Sequence, residues 1–277
     1  MRLSISNIAW DASEDDAVAG LLNARGVAAI DVAPGKYFPI PGDATDREME
    51  DVRRRWEVRG IAIVGMQALL FGTHGLNLFG TADVQHSMLE HLAAVCRIGS
   101  GLGATRLVFG SPRNRDRSGL DDTVAFDHAV VFFRRLGDIA RANGVEVCLE
   151  PNPACYGANF MTTSAETAHI VARVGHPAIR MQFDTGSLAI NGEDASVVLA
   201  DYASLIGHVH ASEPDLLPLG DTSTDHAELG RLLAKHLPEH IVTVEMRATE
   251  NEPHLTSIDR ALRKAAACYG DRAGAGS

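Results

Sequence analysis

VCLEPNP (residues 147–153) and MQFDTGS (residues 181–187) each carry an apolar run into an acidic side chain, Glu150 in the first and Asp184 in the second. HVHASE (residues 208–213) reaches His210 and VTVEMR (residues 242–247) reaches Glu245 in the same way. A short apolar run closed by polar punctuation is the pattern of a strand buried on both faces, as in a parallel sheet. The four polar residues lie 34, 26 and 35 positions apart. Each interval matches the ~30 residues of one strand–helix–strand unit.

Working outward, the same pattern predicts eight strands, at 3–9, 27–32, 61–66, 105–109, 145–150, 179–184, 205–210 and 241–246. Helical stretches are expected at 14–25, 46–59, 82–99, 122–143, 164–174, 195–204, 225–237 and 255–269. Asn143-Gly144 supplies a helix stop, and Thr163 followed by Glu166 supplies a helix start. Eight β-α repeats in 277 residues predict an α/β fold, a single (β/α)₈ barrel over residues 1–270. The last residues, 271–277, are small and polar and read as a disordered tail. A doubly wound sheet is the alternative, but it normally carries a glycine-rich phosphate loop in its first β-α turn. Residues 7–12 contain no glycine, which argues against a nicotinamide or flavin site.

Composition narrows the function. A net charge of −11 disfavours nucleic-acid backbones and anionic membrane surfaces alike. No apolar run reaches the ~18 residues of a membrane span, and the N-terminal residues lack a secretory pattern, so a cytoplasmic location is expected. The four cysteines, Cys96, Cys148, Cys155 and Cys268, form no CxxC pair and read as reduced thiols.

In a parallel barrel, chemistry gathers where the strands end. Glu150, Asp184, His210 and Glu245 would then converge at one mouth, from four neighbouring strands. Three carboxylates and one imidazole suit a hard or borderline divalent ion: Mn²⁺ first, with Mg²⁺, Co²⁺ or Zn²⁺ as alternatives. Without a cation, three crowded carboxylates could not all ionise cheaply. Side-chain alternation places Gln182 and His208, with Cys148 and Thr243, one layer deeper, where they would orient the ligands by hydrogen bonds or satisfy one another.

The order Glu, Asp, His, Glu on the last four strands resembles the xylose-isomerase-like barrels of the sugar phosphate isomerase and epimerase family. The likeness extends to LSISNIAW at the first strand and LVFGSP at the fourth. It implies one divalent ion held by Glu150, Asp184, His210 and Glu245. It also implies that Glu150 and Glu245 act as the catalytic acid and base on opposite faces of a bound sugar, and that the protein assembles as a homodimer or homotetramer. Three positions depart from the family pattern. Ser187 stands where several relatives carry a histidine, the loop at 211–217 has no arginine, and Tyr156-Gly157-Ala158-Asn159 replaces a Glu-Thr pair. These departures weigh against 3-epimerisation of a free hexose.

The expected substrate contacts are Asn7, Trp10, Gln67, Arg113, Asn152, Ser187 and Glu213. Lys36, Tyr37 and His74 also fall after early strands. The loop GSPRNRDR, with Arg113, Asn114, Arg115 and Arg117, reads either as an anion grip or as a solvated connection. The leading expectation is a metal-dependent isomerase or epimerase of a small sugar, sugar acid or cyclitol derivative, working through an enediolate. A dehydratase on the same metal site is the alternative, since it begins with the same proton abstraction. An AP-endonuclease-like phosphodiesterase would need further metal ligands and a basic face. A non-catalytic sugar binder would not need both glutamates.

Overall fold

The computed structural model describes residues 1–270, so the expected tail at 271–277 lies outside the described residues. Eight strands close into a barrel in chain order: β1 (Leu3–Ser6), β2 (Ala29–Val32), β3 (Ala62–Met66), β4 (Arg106–Phe109), β5 (Glu146–Leu149), β6 (Ile179–Asp184), β7 (Ile206–Ser212) and β8 (Val242–Glu245). Every adjacent pair is parallel, including the closing pair β1–β8. The helices between them are α1 (Asp15–Ala24), α2 (Asp46–Glu57), α3 (Ala82–Leu102), α4 (Asp122–Ala142), α5 (Ser164–Val174), α6 (Thr185–Asn191), α7 (Ala195–Tyr202), α8 (His226–His236) and α9 (His254–Tyr269). The expected barrel is therefore the observed fold.

Local chemistry explains the boundaries. Thr45 opens α2 with a reciprocal cap, bonding the Glu48 N–H while Glu48 bonds back to the Thr45 N–H. Thr163 accepts from the Glu166 N–H at 3.2 Å and starts α5 where the sequence placed it. Gly144, at φ +69°, takes the left-handed turn that lets the chain leave α4 for β5.

Three elements differ from expectation. Strand β1 ends at Ser6 rather than at residue 9, because Ser6 caps a 3-10 turn over Asn7–Ala9. Strand β7 runs on to Ser212 rather than ending at His210. Helix α6 begins directly after β6, with Asp184 itself as its cap and the Ser187 N–H 2.6 Å from Asp184 Oδ1. The extra helix was hidden in the sequence because the residue read as a ligand also serves as the helix cap.

The hydrophobic core joins the helices to the outside of the sheet. Phe133 of α4 meets Phe109 of β4 edge-on at 5.4 Å and Phe132 at 5.6 Å, all three fully buried. The axis of the barrel is polar instead: Ser4, Asp31, Gln182, His208 and Thr243 are buried there and linked by hydrogen bonds across strands. The pairing register slips at Ile30/Asp31 and again at Met181/Gln182. Such irregularities re-aim side chains, and both fall beside residues that support the barrel mouth. Asp184 pairs with His210 and Gln182 with His208, as strand alternation predicts, while β8 is staggered so that Thr243 sits beside His210.

Truncating Phe133 to Ala should cost about 3–5 kcal/mol, the usual range for a buried aromatic. Urea unfolding followed by circular dichroism measures it. A cost under ~1 kcal/mol would show that the α4–β4 contact carries little of the fold's stability.

Candidate metal centre

Glu150, Asp184, His210 and Glu245 meet at the C-terminal mouth of the barrel. One ligand atom from each lies within 4.8 Å of all the others, and all four residues are buried. His210 Nδ1 faces Glu245 Oε2 at 3.2 Å and Glu150 Oε1 at 3.8 Å. The second oxygen of each glutamate is held from outside the cluster. Asn152 Nδ2 donates to Glu150 Oε2 at 2.9 Å, and Gln67 Nε2 donates to Glu245 Oε1 at 2.6 Å. Ser212 Oγ donates to Asp184 Oδ2 at 2.7 Å.

Glycine makes room for this arrangement. A Cβ on Gly110 would lie 1.9 Å from Glu150 Oε2, and one on Gly65 would lie 2.6 Å from the Asp31 carboxylate. Any side chain at either position would push the carboxylate away.

The charges are mutually strained. Burial, then repulsion from Glu245 and Asp184, pushes the Glu150 carboxyl up to about 8. Burial and Glu245 also raise Asp184. Burial opposes a charged His210, but Glu245 and Asp31 outweigh it and hold the imidazole well above its ordinary value. Burial likewise opposes ionisation of Glu245, and His210 outweighs it, so Glu245 lies below the usual carboxylate value. A divalent cation would replace these shared protons. Three carboxylates and one imidazole nitrogen, converging within 4.8 Å, form a donor set suited to such an ion.

The expected substrate contacts divide. Gln67, Asn152, Ser187 and Glu213 line a cavity of 1320 Å³ that also takes in Glu150, Asp184 and Glu245, although Gln67 and Asn152 also brace the glutamates. Glu213 is anchored, accepting from the Gly220 N–H at 2.8 Å and from Thr222 Oγ1 and facing His226 Nε2 at 3.0 Å. Trp10 is not a cavity wall. It is fully buried, donates its indole N–H to Asp15 at 2.9 Å and packs on Trp56 at 6.3 Å. Tyr37 joins the same knot through Asp15. Asn7 is also fully buried, and its carbonyl oxygen Oδ1 accepts from the Ala33 N–H at 2.7 Å, so it fastens β1 to β2 rather than facing a substrate.

Arg113 is exposed and absent from the cavity wall, which corrects its assignment as a substrate contact. Its neighbour Arg115 is fully buried and structural, donating to Glu150 O at 2.7 Å and to Asn152 Oδ1 at 2.5 Å. Arg117 is spent on Asn159 and Asp122. Gln182 and His208 do not bond the ligand carboxylates. With its amide turned to suit its neighbours, Gln182 donates to His208 O at 3.2 Å, and its oxygen faces the backbone N–H of His210 at 3.2 Å and His210 Nδ1 at 3.3 Å. His208 Nε2 lies 2.6 Å from Asp31 Oδ2.

Sequence reading missed Asp31, Ser212 and Arg247. The signal for Asp31 was a lone acid inside AAIDVA, and that for Ser212 a polar residue two positions beyond His210. Arg247, after β8, lines the cavity that the arginine-free loop at 211–217 also borders, and its N–H bonds Leu216 O at 2.9 Å.

The profile of the family described as "Xylose isomerase-like TIM barrel" matches residues 20–268. The chain belongs to that family. Among solved structures, a D-psicose 3-epimerase from Clostridium cellulolyticum H10 superposes with a TM-score of 0.82 at 17% identity, over 98% of this chain and 100% of that one. A 3-keto-D-glucoside 4-epimerase from E. coli gives 0.74 at 16% identity, over 95% and 99%. The IolI protein, solved with a bound zinc atom, gives 0.74 at 16%, over 97% and 98%. No curated protein sequence matches the chain. At these identities the xylose-isomerase-like likeness to solved structures is one of fold.

Two outcomes are expected. Metal binding should release protons, because Glu150 and His210 hold them in the metal-free protein, and affinity should fall as pH drops below about 8. Calorimetry in buffers of different ionisation enthalpy counts those protons, and a buffer-independent heat would contradict the assigned charge states. Gly110→Ala should weaken metal binding at least ~10-fold with the barrel intact, since it displaces a first ligand. Unchanged affinity would mean that Glu150 does not ligate the ion.

Proposed function

We propose that this protein is a divalent-metal-dependent isomerase or epimerase of a small sugar, sugar acid or cyclitol derivative. The observation that carries the proposal is the convergence of Glu150, Asp184, His210 and Glu245 at the floor of a cavity large enough for such a substrate. Membership of the xylose-isomerase-like family and the fold shared with sugar epimerases support it. The four residues would hold one ion; manganese is the first choice, and the zinc of the IolI structure makes zinc a second candidate. When bound, a divalent ion supplies a Lewis acid that draws electrons from a carbonyl and its neighbouring hydroxyl.

Removing a proton beside a carbonyl at neutral pH needs a base close to the carbon and stabilisation of the enediolate that results. Glu150 and Glu245 enter from β5 and β8, on different sides of the mouth. Each has one oxygen braced, by Asn152 and by Gln67, which leaves the other free for a ligand or a proton. One glutamate would take the proton and the other return it to the opposite face or the next carbon. Asp184, capped against α6 and bonded by Ser212, has no oxygen free of protein bonds and serves as a ligand.

The cavity favours a neutral substrate. Asp215, Asp221, Glu250 and Glu252 line it beside the ligand acids, against Lys36 and Arg247. Lys36 is already spent on the carbonyls of Asn7 and Trp10. With Arg113 outside the wall, the basic loop offers no grip for a phosphate or carboxylate.

Glu150→Gln and Glu245→Gln should each lower kcat by at least ~10²-fold, the lower range for a positioned acid–base group, with a smaller loss of metal affinity. In deuterated water the wild type should place deuterium on the carbon next to the carbonyl of a converted substrate. A mass-conserving screen over ketoses, sugar acids and inososes with Mn²⁺, Co²⁺ or Zn²⁺ supplies the assay. Loss of 18 mass units from a substrate would identify a dehydratase instead. Near-normal turnover in either glutamine variant would reduce that glutamate to a ligand.

A further inference from the structure

Beneath the four ligands lies a carboxylate that the chemistry above does not use. Asp31 of β2 is fully buried in the barrel axis. Its partners are Ser4 Oγ at 3.4 Å, His208 Nε2 at 2.6 Å and His210 Nε2 at 3.7 Å. Space for it comes from Gly65 on the paired strand, where a Cβ would collide with the carboxylate at 2.6 Å.

Two readings compete. Asp31, His208 and His210 form a compact group of metal-ligating types, which suggests a second ion. The spacing decides against it. Two donors on one ion, each ~2.1 Å away, sit about 3.0 Å apart or more at octahedral or tetrahedral angles. His208 Nε2 and Asp31 Oδ2 are only 2.6 Å apart, a hydrogen bond with no room for an ion between them.

The other reading follows from the imidazole of His210. Its Nδ1 faces the two glutamates at 3.2 and 3.8 Å, with the Gln182 amide oxygen at 3.3 Å, so Nδ1 is the ring atom on the side of the carboxylate cluster and the one offered to a metal. An imidazole that gives the Nδ1 lone pair to an ion carries its proton on Nε2. That atom is buried and has no hydrogen-bond partner, and the acceptor nearest to it is Asp31 Oδ2. We infer that Asp31 is a positioning residue for the metal-ligating His210: it accepts the Nε2 proton, fixes the tautomer that frees Nδ1, and holds the ring at its angle, with His208 and Ser4 locking the carboxylate in turn. A metal-bound histidine commonly needs such an outer acceptor. The inference rests on the metal-dependent reading of the site.

Chelator competition with Co²⁺ alone as the probe tests it without any substrate. Asp31→Asn keeps the shape of the side chain and should weaken Co²⁺ binding 10- to 100-fold and alter the visible Co²⁺ spectrum. Ser4→Ala removes only one 3.4 Å hydrogen bond to the same carboxylate, so it should weaken Co²⁺ binding in the same direction but by less than Asp31→Asn does. A second measurement needs no variant: in wild type loaded with Zn²⁺, ¹⁵N–¹H spectra of the His210 ring should show a slowly exchanging Nε2–H. Wild-type affinity in Asp31→Asn, or an Nδ1–H ring in the loaded protein, would overturn the inference while leaving the metal centre standing. Failure of wild type to bind Co²⁺ or Zn²⁺ would remove both.

Discussion

Repulsion among Glu150, Asp184 and Glu245 is the constraint around which the barrel mouth is built. Three carboxylates with ligand atoms inside a 4.8 Å circle are costly when removed from water, and one imidazole cannot neutralise them all. The surrounding residues answer that cost. Asn152, Gln67, Ser212 and the Ser187 N–H each donate to a carboxylate oxygen, and Gly110 clears the volume one of them occupies. Arg115 adds a buried positive charge behind Glu150, bonded to that residue's own carbonyl. What remains is an excess of negative charge at the centre that the surrounding hydrogen bonds do not cancel.

The fold was legible because its signal is repetitive. Apolar runs of strand length recur at barrel spacing, and the polar residues near their ends mark the mouth. Glu150, Asp184, His210 and Glu245 were legible for the same reason: each interrupts an apolar run at or near the C-terminal end of a strand, His210 two residues before the end of β7. Helix α6 was not legible, because Asp184 has two jobs and the sequence advertises only one. Strand β7 ran longer than expected because Ala211 and Ser212 continue to pair with β8.

Substrate contacts were harder to read, for a physical reason. Position after a strand places a residue near the mouth but does not say which way it points. Trp10 and Asn7 follow β1 as expected, yet both turn into the protein to satisfy Asp15 and the Ala33 N–H. Arg113 and Arg115 are two residues apart in one loop, and one is exposed while the other is fully buried. Asp31 was overlooked because a single acid within a strand carries no spacing signal. Only the register with β3 and the closure of the barrel bring it to His208.

The anchoring of Glu213 reaches further along the chain than the cavity it lines. His226 Nε2 faces Glu213, and His226 Nδ1 lies 2.5 Å from the hydroxyl of Tyr269, the last residue of α9. One wall of the cavity is thus fastened to the end of the final helix. During synthesis, all eight strands emerge from the ribosome before Tyr269 does, so the barrel can close while that wall still lacks its anchor. A chain cut a few residues before Tyr269 would keep Glu150, Asp184, His210 and Glu245 and lose the hydroxyl that meets His226 behind Glu213. The end of α9 is therefore part of what holds the cavity wall in place.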